Sequence, residues 1–98
     1  MPRVLRRPQV RIDLLKIWDY IRQRNPDAAE QVLRDIDERF TLLSEFPEMG
    51  SQRDEIREGM RLSVYKRFII LYFPIEDGVE IVRVVRGERD LKRVKIAE

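Results

Sequence analysis

Phe68-Ile69-Ile70-Leu71-Tyr72-Phe73 is an unbroken apolar run of strand length. No polar residue alternates within it, so it reads as a central strand covered on both faces. Downstream, Glu76-Asp77-Gly78 makes a hairpin turn in which Gly78 supplies a positive φ. Glu80-Ile81-Val82-Arg83-Val84-Val85 is then the return strand. Upstream, Leu62 and Val64 alternate with Arg61 and Ser63, the pattern of a half-buried strand. These segments predict a three-stranded antiparallel meander.

Ahead of the meander the apolar spacing becomes helical. Val10, Leu14, Ile17, Trp18 and Ile21 form one stripe, which Leu15 widens, while Asp13, Lys16, Asp19 and Arg22 take the other side. Trp18 is expected in the core and Tyr20 on the helix flank. Pro8 suits the first turn, although Arg7 is a poor N-cap. Arg24-Asn25-Pro26-Asp27 ends this helix and starts another, with Asn25 as the expected cap and Asp27 beside the positive helix end. Ala29, Val32, Leu33, Ile36, Phe40 and Leu43 form the second stripe, which stops at Phe46-Pro47. The short turn predicts an antiparallel hairpin, and Ala28 and Ala29 permit close approach of the helices.

Residues 47–59, polar and with glycines at both 50 and 59, read as a loop, and Val4-Leu5 as a short first strand. The expected fold is therefore α+β in the order β-α-α-β-β-β, a single domain over residues 1–98. One helical hairpin covers one face of a sheet. An apolar central strand with a second bare face implies a partner, and Phe68, Ile70 and Tyr72 are the candidates for an apolar groove that receives it.

The net charge of +2 hides a strong segregation. Residues 1–24 carry seven Lys/Arg against two Asp/Glu, residues 25–58 four against ten, and residues 81–98 six against three. Basic ends flank an acidic middle. Arg61, Arg83 and Arg86, at strands or strand ends, and Arg89, Lys92 and Arg93 in the tail are candidate contacts for carboxylates of a partner or an acidic target.

Chemistry is narrowed by what the chain lacks. It has no cysteine and no histidine, so no disulfide, thiolate nucleophile, imidazole acid–base group or ordinary zinc ligand set is expected. There is no glycine-rich phosphate loop, and Asp54-Glu55 and Glu76-Asp77 fall in turns. No apolar stretch is long enough for a signal peptide or a membrane span, so a cytoplasmic protein is expected, with no cofactor, metal or membrane partner. No catalytic residue is assigned.

Several segments in this order resemble the ParE branch of the ParE/RelE toxin superfamily. They are Leu14-Leu15-Lys16-Ile17-Trp18-Asp19-Tyr20-Ile21, Asn25-Pro26-Asp27-Ala28-Ala29, Phe46-Pro47-Glu48-Met49-Gly50 and Gly59-Met60-Arg61. The strand ending at Tyr72 and the segment Ile81-Val82-Arg83-Val84-Val85-Arg86-Gly87-Glu88-Arg89-Asp90-Leu91 complete the match, from about Pro8 to Leu91. The resemblance implies the toxin of a type II toxin–antitoxin pair, neutralised by a ParD-like antitoxin and poisoning DNA gyrase by protein contact. Direct nucleic-acid binding is not part of that expectation. RelE-like members are instead ribosome-dependent mRNA endonucleases. On an ungapped reading their tail arginine and tyrosine positions fall here on Gly87 and Arg93, and no Tyr or His follows Tyr72. The alternatives are a nuclease of that type and a non-toxic module that only binds an antitoxin.

Overall fold

The protein is described here by a computed structural model covering residues 1–87 and 91–96. Its elements are β1 (Arg3–Arg6), α1 (Pro8–Arg24), α2 (Pro26–Glu45), β2 (Ser51–Gln52), β3 (Arg61–Tyr65), β4 (Phe68–Ile75) and β5 (Gly78–Arg86), then a 3₁₀ turn at Leu91–Arg93. They form one five-stranded sheet in the order β1-β5-β4-β3-β2, with the α1–α2 hairpin on one face. The α+β order read from the sequence holds. β2 adds a short edge strand inside the expected loop, pairing Ser51 with Leu62 and Gln52 with Arg61.

β1 runs parallel to β5, from Arg3 opposite Gly78 to Arg6 opposite Ile81. The two strands approach so closely at Gly78 that a Cβ there would collide with the Arg3 carbonyl oxygen. Glycine is required at this point chiefly by contact, in addition to its φ of 154°. Ion pairs of Arg3 with Asp77, Arg6 with Asp37 and Arg7 with Glu80 fasten β1 to the β4–β5 turn, to α2 and to β5.

The helices start as the prolines require, at Pro8 and Pro26. Asn25 serves both helices, but through its backbone: its N–H donates to Ile21 C=O at 2.7 Å and its C=O accepts from Ala28 N–H at 3.0 Å. Its side chain makes no capping hydrogen bond, which corrects the expected role. Trp18 is half-buried and carries Arg22 over its ring at 5.0 Å, on the flank of the hairpin instead of in the core. Leu15 is exposed as well.

The main core lies between the hairpin and the sheet. Val10, Ile17, Ile36, Phe40 and Leu43 from the helices meet Phe68, Ile70, Tyr72, Val79, Ile81 and Val84. Ile81 and Val84 share a face although three positions apart, because β5 carries a bulge: Tyr72 pairs with Ile81 but Leu71 pairs with Arg83, leaving Val82 as the extra residue. On the other face Met60, Leu62, Leu71 and Val82 form a second cluster, packed by Ile56 and by Leu91, Val94 and Ile96 of the C-terminal segment. The chain thus covers much of its second face with its own tail.

Candidate functional site

The site grows from an incomplete pairing at the sheet edge. β1 accompanies β5 only to Ile81, where Arg7 N–H donates to the Ile81 C=O at 3.0 Å. Past that point no strand adjoins the outer edge of β5 among the described residues. Asp13 of α1 takes over part of the missing role, its carboxylate accepting the Val84 N–H at 3.0 Å. The same carboxylate accepts from Arg83 Nε and Nη2, each at 2.8 Å, and from Gln9 Nε2 at 3.2 Å. Arg83 Nη1 donates to the Lys95 C=O at 2.7 Å. Arg83 is therefore a buried clamp joining α1, β5 and the C-terminal segment, and not the exposed contact expected from its charge. A buried guanidinium stays charged and needs such a bidentate acceptor.

Beside this clamp a cleft of about 350 Å³ opens between α1 and the free end of β5, lined by Asp13, Lys16, Ile17, Tyr20, Val84, Val85 and Arg86. Tyr20 is central to its rim. The Arg86 guanidinium carbon lies 4.3 Å and that of Arg24 3.7 Å from the Tyr20 ring centroid, while Arg24 Nη1 also donates to the Tyr20 C=O at 3.1 Å. Stacking on an aromatic face holds these cations in place without neutralising them. With Asp13 occupied by Arg83, the charges offered at the rim are Lys16, Arg24 and Arg86. An apolar floor, a cationic rim and an open strand edge suit an extended acidic segment, which would add to the sheet through its backbone and pair carboxylates with the rim.

The other expected positions resolve differently. Phe68, Ile70 and Tyr72 are buried against the hairpin, so they are core and form no open groove. Strand alternation sends their neighbours to the opposite face, where Val64 and Ile69, with Lys66, Arg67 and Gly87, line a shallow hollow of about 470 Å³. Lys66 heads that hairpin turn at φ 52°, a left-handed conformation that a lysine adopts at a cost. Arg89, with Glu88 and Asp90, lies outside the described residues; Lys92 and Arg93 fall in the 3₁₀ turn.

Arg61 also serves the architecture. Its Nη1 donates to the Glu48 C=O at 3.0 Å and to the Gly50 C=O at 2.6 Å. Tyr72 secures the same loop from below, its hydroxyl donating to the Pro47 C=O at 2.7 Å and accepting the Gly50 N–H at 2.9 Å. A side chain at residue 50 would collide with that hydroxyl, its Cβ lying 2.6 Å from the oxygen. Tyr72→Phe should cost about 1–3 kcal/mol in a denaturant melt, because it strands the buried Gly50 N–H and the part-buried Pro47 C=O together. Burial holds the Tyr72 hydroxyl above its ordinary pKa of 10.0. A raised phenol contributes stability that is complete below that value and lost as pH rises through the folded-state pKa. Wild type should therefore lose stability in alkali more steeply than Tyr72→Phe, and parallel profiles would remove the hydroxyl from this role.

Sequence reasoning assigned Arg86 to the site but missed Lys16 and Tyr20, which only the α1–β5 packing brings beside it. Asp13 did leave a signal. The sequence reading sets Asp13 on the polar side of α1, yet it lies three residues after Val10 and four before Ile17, and the structure corrects the placement by burying it in that stripe against Arg83.

The molecule is a helical hairpin on a five-stranded sheet, with Arg61 and Arg83 held inside the fold and a basic cleft at a strand edge. A solved chain from a chromosomal ParDE toxin–antitoxin system of P. aeruginosa has this fold, with a TM-score of 0.76 at 22% identity, over 90% of this chain and 98% of that one. The chain belongs to the ParE toxin family of type II toxin–antitoxin systems (parDE), whose pattern matches residues 4–91. Toxin ParE3 of Caulobacter vibrioides is 32% identical over 92 residues, 93% of this chain and 92% of that protein. Toxin ParE1 of Mycobacterium tuberculosis is 32% identical over 93 residues, 93% of this chain and 95% of that protein.

Proposed function

We propose that this chain is a cytoplasmic toxin that inhibits DNA gyrase by protein–protein binding and is held inactive by a ParD-like antitoxin seated in the α1–β5 cleft. The observation that carries the antitoxin part is the cleft itself, where Lys16, Tyr20 and Arg86 flank a strand edge that β1 leaves open beyond Ile81. Membership of the ParE family supports the choice of target, through the gyrase poisoning that the sequence resemblance implies. Of the three strand arginines that would be the candidates for an RNA-cutting mechanism, two are engaged elsewhere, Arg61 with loop carbonyls and Arg83 with Asp13. This supports action by contact. Binding then needs no proton transfer and no metal.

The test pairs a gyrase supercoiling assay with an mRNA-cleavage assay on programmed ribosomes. Inhibited supercoiling with intact transcripts is expected. Transcript cutting with normal supercoiling overturns the reading, and a chain inert in both assays and in growth reduces it to a non-toxic antitoxin-binding module. Losses on substitution should be graded, as at interfaces, where most truncations cost little. Combined Arg89→Ala, Lys92→Ala and Arg93→Ala should weaken toxicity partially and in a salt-sensitive way. Lys16→Ala with Arg86→Ala should weaken antitoxin binding roughly tenfold, with the largest difference at low salt.

A further inference from the structure

Large apolar side chains are exposed where the chain leaves α2. Leu42 is 38% exposed, Phe46 58% and Met49 44%. Leu42 and Phe46 stand one helical turn apart, and Phe46 and Met49 close a turn through the Met49 N–H to Phe46 C=O hydrogen bond at 2.9 Å. These are mounted on a loop held rigidly from inside, since Arg61 grips the carbonyls of Glu48 and Gly50 while Tyr72 grips Pro47 and Gly50. Four hydrogen bonds from two strands fix the backbone that presents Phe46 and Met49 to solvent.

The surroundings are acidic. Glu38, Glu45 and Glu48 are exposed around the apolar side chains, and none has an ion-pair partner among the described residues. No Lys or Arg occurs between Arg39 and Arg53. The α1–β5 cleft is basic and lies along the free half of β5, whereas Pro47 lies beside the opposite end of that strand, near Gly78. The basic cleft and the acidic loop therefore lie toward opposite ends of β5.

From this we infer that Phe46 and Met49, with Leu42, form a preorganised knob that inserts into a preformed apolar pocket with a Lys/Arg rim on the toxin's folded protein target. A disordered tail is received by grooves and strand edges. A rigid convex projection fits a pocket that already exists, and rigidity removes the ordering cost that would otherwise weaken such a contact. Aromatic and methionine anchors surrounded by polar groups are the usual composition of an interface centre. Unpaired carboxylates steer the approach and favour a cationic rim. The identity of the target rests on the gyrase reading above; the surface does not.

The experiment compares wild type with Phe46→Ser plus Met49→Ser, and with Glu45→Lys plus Glu48→Lys. Both pairs change exposed side chains and leave the Arg61 and Tyr72 hydrogen bonds in place, and circular dichroism and melting temperature verify the fold. Binding to purified DNA gyrase and growth arrest on induction are the two readouts. The serine pair should lose at least about 30-fold in affinity and should relieve growth arrest. The lysine pair should slow association roughly tenfold at low salt and less at high salt. If wild type arrests growth without binding gyrase, the gyrase reading fails, and relief of arrest by the serine pair still supports the knob. Folded serine variants that bind or arrest growth like wild type overturn the inference. So does loss confined to antitoxin binding or to self-association in sedimentation, and so does a wild-type chain that neither binds gyrase nor arrests growth.

Discussion

Arg83→Ala is expected to destabilise the fold by about 3–5 kcal/mol, because it leaves the Asp13 carboxylate buried without its counter-charge. The side chains of Arg83 and Asp13 are only 10% and 3% exposed, so solvent cannot take over the lost partner. The loss is wider than one ion pair. Arg83 also donates to the Lys95 C=O, and Asp13 also accepts the Val84 N–H at the open edge of β5. Removing the arginine takes one hydrogen bond from the C-terminal segment, which its apolar packing still holds, and weakens the cleft wall in the same step. A small domain has about 5–15 kcal/mol in total, so the variant should lie near or past its folding limit at 37 °C. Asp13→Ala should cost a similar amount. The double change Asp13→Leu with Arg83→Met should recover much of it, since a well-packed apolar pair lacks the desolvation penalty of two buried charges. Urea melts of the three variants give the answer. A single arginine change costing less than about 1 kcal/mol would mean that water reaches the carboxylate and that the clamp is not structural.

The contrast between what could and could not be read beforehand follows from the range of each interaction. The helices and the meander are written in local periodicity, since α1, α2, β4 and β5 each carry an apolar pattern that only one backbone geometry can bury. β2 is two residues long, too short to show a period, and exists only because Leu62 and Arg61 offer it an edge. The bulge at Val82 is likewise silent in sequence, yet it decides that Ile81 and Val84 share a face. The apolar run at 68–73 is legible as a strand covered on both sides, but the expectation of a bare second face that needs a partner is corrected by the structure. Its second cover proves to include Leu91, Val94 and Ile96, whose spacing is obscured by Lys92, Arg93 and Lys95 between them. Charge is the least legible quantity of all. Arg61, Arg83 and Arg86 look alike as letters, and only the fold divides them into a loop anchor, a buried clamp and a rim cation.

Ile36→Ala should cost about 2–5 kcal/mol, whereas Asn25→Ala should change stability by less than about 0.5 kcal/mol. Ile36 is completely buried within the main core, packed with helix and sheet residues on every side. Truncating it removes the transfer free energy of the lost methylenes and leaves a cavity that the surrounding core residues cannot fill without leaving their own positions. Asn25 looks like the more informative residue on paper, because an Asn before Pro-Asp is a strong capping signal worth about 1 kcal/mol. Here that value does not apply, since the side chain makes no hydrogen bond to the helix and the backbone N–H and C=O carry the junction. Alanine keeps both of those groups. Pro26 keeps its fixed φ and Asp27 its place in the first turn, so the start of α2 is retained without the amide. Denaturant melts on the two variants separate the contributions directly. A larger loss for Asn25→Ala than for Ile36→Ala would place the stability of the hairpin in its turn instead of in its packing against the sheet.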